Sequence, residues 1–260
     1  MTTAELRIRQ RRGAIALAGR EARRVLSLWT QTILPPVLTA TLFLAVFGGA
    51  LGGRIRHIEG LPYTTFILPG LLVMTVAGQA FANAATSLFQ AKNEGYIDDV
   101  LSSPLRPAQV ALSYLSGGLL RGLLAAIIVA AGAAPFAHEG AQPALAGLAL
   151  LLTGLVFASL GVITGIWAET FDQHAFIANI VITPLALVGG VFYSARTLDQ
   201  PWATFTHLDP LFYLVDATRA GLTGFHESPT WLSLTFAGVV ALLAFGVATT
   251  LLARGWRLKP

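Results

Sequence analysis

Across 260 residues the chain is 55% hydrophobic and 12% charged, with a formal net charge of +4 and no cysteine. A soluble domain carries about 25% charged residues, so the low charge and a mean hydropathy of +0.68 exclude an ordinary soluble enzyme. The absence of cysteine excludes disulfides and thiolate-based metal or redox sites.

The first element in chain order is a basic amphipathic helix over residues 6–30. Ile15, Ala18, Ala22, Val25, Leu26 and Trp29 share an arc of roughly 100°, with Arg12, Arg20, Arg23 and Arg24 opposite. Such a helix lies along a bilayer, its apolar side in the acyl boundary and its arginines near anionic headgroups. A soluble targeting or partner-binding arm is the alternative. The length of the basic region and the spans that follow argue against a cleavable signal.

Six stretches then have the length of a membrane crossing, which takes about 20 helical residues. Residues 25–53, 60–91, 140–168, 173–195 and 228–253 contain no Asp, Glu, Lys or Arg, and 107–138 is interrupted only by Arg121. Spans are expected near 33–50, 64–89, 111–134, 144–167, 176–194 and 231–253. Strands of a transmembrane barrel would alternate in polarity over about ten residues. None of these stretches alternates, so the expected fold class is an all-α integral membrane bundle, one transmembrane domain over 1–260.

Two segments between spans stand apart. Residues 90–109 form the most polar loop, and residues 197–230 are too long for a tight turn and too apolar for a solvated one. The second segment is expected to form two short helices broken at Asp209-Pro210, where Asp caps and Pro starts a helix. They would enter the outer leaflet and return, a re-entrant hairpin with Trp202, Tyr193 and Tyr213 at interfacial depth. Asp216 and Arg219, three apart on one helix, are expected to pair.

Twelve of the 17 basic residues fall on the side that holds both termini and the 90–109 loop. The positive-inside rule then places both termini in the cytoplasm. The basicity is a topology signal, and no nucleic-acid partner is expected.

Searches for chemistry exclude most enzymes. Neither lysine sits in a P-loop, so the chain does not bind ATP in that way. His138-Glu139 and His226-Glu227 lack the second histidine of a zincin and read as surface loop residues. The stretch from Phe157 to Gly161 reads as a small-residue packing face, not a nucleophile motif. Apart from Arg121 the spans hold no charge, which weakens proton-coupled transport. Arg121 should face the bundle or a hydrated path, with Asp172 and Glu169 as the acids in reach. Gly48-Gly49, Gly52-Gly53 and Gly189-Gly190 are candidates for a dimer interface in lipid.

Four segments resemble the permease family of type-two ABC exporters, which includes drug, lipid and polysaccharide exporters. They are LPGLLVM (68–74), EGYIDDVLSSPLRP (94–107), NIVITPLALVGGVFYS (179–194) and HLDPLFYLVDATRAGLTG (207–224). Their order and spacing fit nearly the whole chain, although the family often has Asn where Asp209 stands. The resemblance implies a non-catalytic subunit of the inner membrane. A second, identical permease chain and two copies of a separate ATPase subunit, which binds ATP and Mg, would complete it. Glu94, Tyr96, Ile97, Asp98, Asp99, Val100, Leu101 and Pro104 would form the ATPase-coupling segment, with the acids facing a basic rim and Tyr96, Ile97, Val100 and Leu101 in the buried contact. Trp202, Asp209, Pro210, Asp216 and Arg219 would belong to an external gate. The cargo would be lipid-like, glycolipid or a hydrophobic drug-like molecule. A secondary transporter without an ATPase, or a membrane assembly factor, remains the alternative on residues alone.

Overall fold

The computed structural model describes residues 2–32, 34–46, 57–133 and 142–258. Helices α1 (Thr3–Ser27), α2 (Trp29–Thr32) and α3 (Leu34–Ala45) precede a small hairpin of β1 (His57–Ile58) and β2 (Leu61–Pro62). Its strands are antiparallel, Ile58 facing Leu61, and Glu59 and Gly60 both take positive φ, as a tight two-residue turn requires.

The body is helical: α4 (Tyr63–Asn93), α5 (Ile97–Ser102), α6 (Pro107–Gly132) and α7 (Pro143–Trp167). Next come α8 (Phe171–Ile177), a π turn (Ala178–Ile182) and α9 (Thr183–Val188) as one run, then α10 (Trp202–Leu208), α11 (Pro210–Thr223) and α12 (Thr230–Arg254). Among the described residues, five segments are long and apolar enough to cross a membrane: α4, α6, α7, the run Phe171–Val188, and α12. Each overlaps one of the expected spans, but the run Phe171–Val188 ends six residues short of the expected 194, because the chain turns at Gly189 and Gly190. The remaining one, 33–50, is described only over α3, and residues 33 and 47–50 lie outside the described residues. So do the 48–49 and 52–53 glycine pairs and His138-Glu139.

Helix α4 is the hub. Lipid offers no hydrophobic drive between helices, so close association depends on small residues that let backbones touch. Gly161 and Gly165 of α7 are so placed that an added Cβ would lie 2.5 Å from the Phe81 carbonyl and 2.8 Å from that of Ala85. Gly118 and Gly122 of α6 meet the Ala80 and Val76 carbonyls at 2.7 and 3.0 Å in the same sense. Two glycine pairs at i, i+4 thus clamp α4 from two sides. Around them Val73, Ala77, Phe81, Leu88, Tyr114, Phe157 and Val162 form the main core.

The remaining glycine pair is used differently from expectation. Gly189 and Gly190 are buried within this chain against Leu211 and Phe212, so they are not a free face for a second copy.

Helix α1 begins with a capping box between Thr2 and Glu5, packs on α6, and reaches α4 through hydrogen bonds of Glu21 and Arg24 to Ser87 and Asn83. Its buried positions are Gln10, Leu17, Glu21 and Val25, the apolar Ile8, Ile15 and Leu26 are exposed on the other side, and Trp29, exposed, opens α2. This corrects the expected placement of two arginines. Arg20 and Arg24 turn into the protein seam, because Glu21, Asn83 and Tyr114 offer acceptors there.

Candidate functional site

At one end of the bundle α4 closes on Gly95, whose φ of +81° lets the chain reverse into α5. Ile97 is 2% exposed and packs into the main core, with Tyr96, Val100 and Leu101 partly buried against it. Glu94, Asp98, Asp99, Ser102 and Pro104 are exposed. The apolar residues expected to serve a partner therefore anchor the elbow to its own bundle, while the acids point outward. A recess of about 310 Å³ lies between Val100, Leu101 and Leu105 of this elbow and Leu252, Arg254 and Gly255 at the end of α12.

Cations tie this end together. Lys92 donates to the carbonyls of Ile166 and Ala168, both at 2.7 Å, which satisfies groups left open at the end of α7. Arg257 pairs with Glu169 at 3.5 Å. The Arg20 guanidinium stands 4.8 Å from the Tyr96 ring centre and donates to the Tyr114 hydroxyl. Burial raises the Tyr96 phenol above its ordinary value, and Arg20 opposes that.

Beside this lies an acid that sequence reading missed. Glu21, 1% exposed, accepts from Arg20 (3.0 Å), Arg24 (3.3 Å) and the Ser87 hydroxyl (2.6 Å). Arg24 also donates to the carbonyl and the side-chain oxygen of Asn83. Asn83 and Ser87, four apart in an otherwise apolar span, were the available signal, since polar groups at that spacing share a helix face.

Arg121 sits on α6, half-buried, and its Nε donates to Gln79 Oε1 of α4 at 2.8 Å. Neither expected acid reaches it: Glu169 is held by Arg257, and Asp172 is exposed. A side-chain amide takes the place of the expected carboxylate.

At the opposite end, α10 and α11 occupy the expected positions. Asp209 accepts from the Leu211 N–H at 2.8 Å through Oδ1, its Oδ2 is buried without a partner, and Pro210 opens α11. Burial pushes the Asp209 carboxyl up to about 6, against the pull of that N–H. Trp202, Phe205 and Leu208 of α10 are exposed. Together with Pro184, Leu185 and Val188 they border an apolar cavity of about 540 Å³ at Asp209.

The expected Asp216–Arg219 ion pair is replaced by a larger arrangement. Arg219 is fully buried, donates to the Phe66 and Gly190 carbonyls, lies 3.9 Å from the Phe66 ring centre and pairs with Glu227 at 3.4 Å. Asp216 accepts instead from the N–H groups of Glu227 and Ser228 and from the Ser233 hydroxyl. Glu227, expected as a surface loop residue, has a side chain 1% exposed. Burial raises its carboxyl above the ordinary range, and Arg219 pulls it back down. The cluster joins α4, α11, α12 and the bend after α9.

Two ends thus differ in kind: a charged elbow at one, and a buried polar lock under an apolar rim at the other. Against known families, residues 13–223 match the ABC-2 type transporter model. The chain belongs to that family. It is 35% identical to the inner membrane transport permease YadH of Escherichia coli strain K12 over 243 residues, covering 92% of this chain and 94% of the relative. It is also similar to nodulation protein J of Neorhizobium galegae, 22% identical with 82% of each chain covered. Nodulation protein J of Rhizobium meliloti strain 1021 is 23% identical over 92% of each.

Proposed function

We propose that this chain is the permease subunit of an ATP-driven exporter in the inner membrane, acting as a dimer with two copies of a separate ATPase that holds ATP and Mg. The cargo is lipid-like, glycolipid or a hydrophobic drug-like molecule. Six spans, α3 being the first, place both termini in the cytoplasm. Helix α1 lies on the inner leaflet with Ile8, Ile15 and Leu26, and Trp29 at the start of α2, in the acyl boundary. Residues 197–230 dip into the outer leaflet, which accounts for the exposure of Trp202, Phe205 and Leu208.

The observation that carries this reading is the elbow. Asp98 and Asp99 stand exposed on a six-residue helix whose apolar side is locked into the bundle through Ile97, and exposed Glu94 caps the end of α4 just before it. A rigidly held acidic knob suits a cleft with a basic rim, and force applied to it passes to α4 and α6 instead of being lost in a loose loop. At the far end, the Arg219 cluster holds α11 closed over the bundle until that force reaches it through α4.

Reconstitution provides the test. The chain co-purified with its P-loop ATPase should move a fluorescent amphiphile across vesicles only with ATP, and Asp98→Lys with Asp99→Lys should release the ATPase or uncouple hydrolysis. Transport by the chain alone, driven by an ion gradient, would overturn the reading in favour of a secondary transporter. External labelling of a cysteine at position 259 in intact cells would overturn the six-span topology.

A further inference from the structure

Arg121 carries five N–H donors. Its Nε is taken by Gln79, and among the described residues neither Nη has an acceptor. The guanidinium is half-buried within a helix that is apolar enough to span. A cation held inside a membrane protein with open donors is costly unless water or an anion meets it.

The charge around it points to an anion. Helix α1 crosses α6 at Gly117, where an added Cβ would lie 2.9 Å from the Glu21 Cβ, and Arg121 is one helical turn further along. Arg24 acts on Arg121 as a like charge. The local set is therefore Arg20, Arg24 and Arg121 against Glu21, and Glu21 is already saturated by two arginines and Ser87. Two positive charges are left uncompensated at the level where α1 meets the bundle.

A groove begins at the same point. Gln79 closes one end of a cavity of about 240 Å³ between α3 and α4, and Pro36, Thr39, Met74 and Thr75 lead along it to Phe43 and Leu71. The polar end at Gln79 lies one turn from Asn83, where α4 meets α1, and the apolar end lies toward Tyr63 and Phe66 at the start of α4. Ligand pockets for whole drug-sized molecules run from about 300 Å³ upward. This groove fits a segment of one acyl chain, with the remainder in lipid.

We propose that Arg121 and Gln79 bind the acidic headgroup of an anionic amphiphile from the inner leaflet, while the α3–α4 groove takes the first part of its acyl chain. The guanidinium suits a phosphate or carboxylate because its paired Nη donors match two oxygens at once. The ordering of head and tail along the groove is that of a molecule standing in the inner leaflet. The biological meaning rests on the permease reading above; the binding itself does not.

The test uses the full chain in nanodiscs and four fluorescent probes with identical short acyl chains: phosphatidic acid, phosphatidylglycerol, phosphatidylcholine and a trimethylammonium lipid. The wild type should bind the two anionic probes at least tenfold more tightly than the other two. Arg121→Gln should lose that preference, Arg121→Lys should keep part of it, and Met74→Trp should weaken all four by filling the groove. Equal wild-type binding of all four probes, which needs no variant to fold, would overturn the proposal. So would an unchanged preference in Arg121→Gln. Adding the ATPase and ATP then separates two sources of the same chemistry. Movement of phosphatidic acid to the outer leaflet identifies cargo, and retention at the inner leaflet with altered ATPase rate identifies a resident lipid. Each supports the site, and a failure of transport with headgroup preference intact counts against the exporter reading alone.

Discussion

The Arg20 guanidinium packs 4.8 Å from the centre of the Tyr96 ring, so helix α1 is joined to the elbow by one cation–π contact. The same side chain donates to the Tyr114 hydroxyl of α6 and pairs with Glu21. Arg20 thus touches α1, the elbow and α6 at once, beside the packing of Gly13 on Leu105. Exposed cation–π contacts contribute about 0.5–1 kcal/mol, and Arg20→Ala also takes one of two arginines from buried Glu21 and the donor from Tyr114. Arg20→Ala should therefore lower the melting temperature and the ratio of transport to ATP hydrolysis. A double-mutant cycle with Tyr96→Leu should show coupling in that ratio. Additive effects of the two substitutions would mean that the contact transmits nothing.

Gly161→Ala should destabilise the bundle by about 1–3 kcal/mol, since the new methyl meets the Phe81 carbonyl and α7 must move off α4. Gly238→Ala on α12, where nothing lies within 4 Å, should be neutral or stabilise through helix propensity. Thermal unfolding in detergent, followed by size-exclusion loss, compares the two. Equal melting temperatures would show that the α4–α7 contact relaxes freely.

Span positions are legible in this sequence because lipid imposes one rule on every residue of a crossing segment. A charge-free block of sufficient length, such as 60–91 or 140–168, has few other stable fates. The break at Asp209-Pro210 is legible for a local reason, cap chemistry followed by a residue without an N–H. Helix faces are less legible. Arg20 and Arg24 look like headgroup-seeking residues in a wheel projection, and only tertiary contact with Asn83, Tyr114 and the buried Glu21 reverses them. Glu227 misleads in the same way: it follows a loop histidine and turns inward because Arg219, eight residues earlier, needs a counter-charge. Pairings across such distances follow from packing, which composition and periodicity do not report.

The Arg219–Glu227 pair should behave as a buried ion pair. Removing one partner leaves an uncompensated charge, at a cost of about 3–5 kcal/mol. Arg219→Met and Glu227→Gln should each reduce membrane yield and lower the melting temperature sharply. Combined as Arg219→Met with Glu227→Leu, they should recover part of the loss, because neither charge then remains buried. Recovery should be incomplete, since the Phe66 and Gly190 carbonyls lose their donor. Double-variant loss equal to the sum of the singles would show that the two side chains act independently.

Asp209 gives a pH dependence of definite sign. Its carboxyl ionises near 6 in the folded chain, against an ordinary value of 3.8, because burial penalises the charged form. The folded state therefore binds the proton more tightly than the unfolded state. Stability from this group is greatest below about 4 and falls as pH rises through 6, the reverse of a salt-bridged carboxylate. Asp209→Asn keeps the Oδ1 acceptor for the Leu211 N–H and replaces the partnerless Oδ2 with an uncharged amide. The variant should match the wild type near pH 4.5 and exceed it in melting temperature near pH 7.5, while Asp209→Ala, which loses the cap, should fall below it by about 1 kcal/mol. Melting curves of the three proteins in detergent across that range decide the matter. A wild type that gains stability between pH 4.5 and 7.5 relative to Asp209→Asn would place the carboxylate in a favourable environment and refute the assignment.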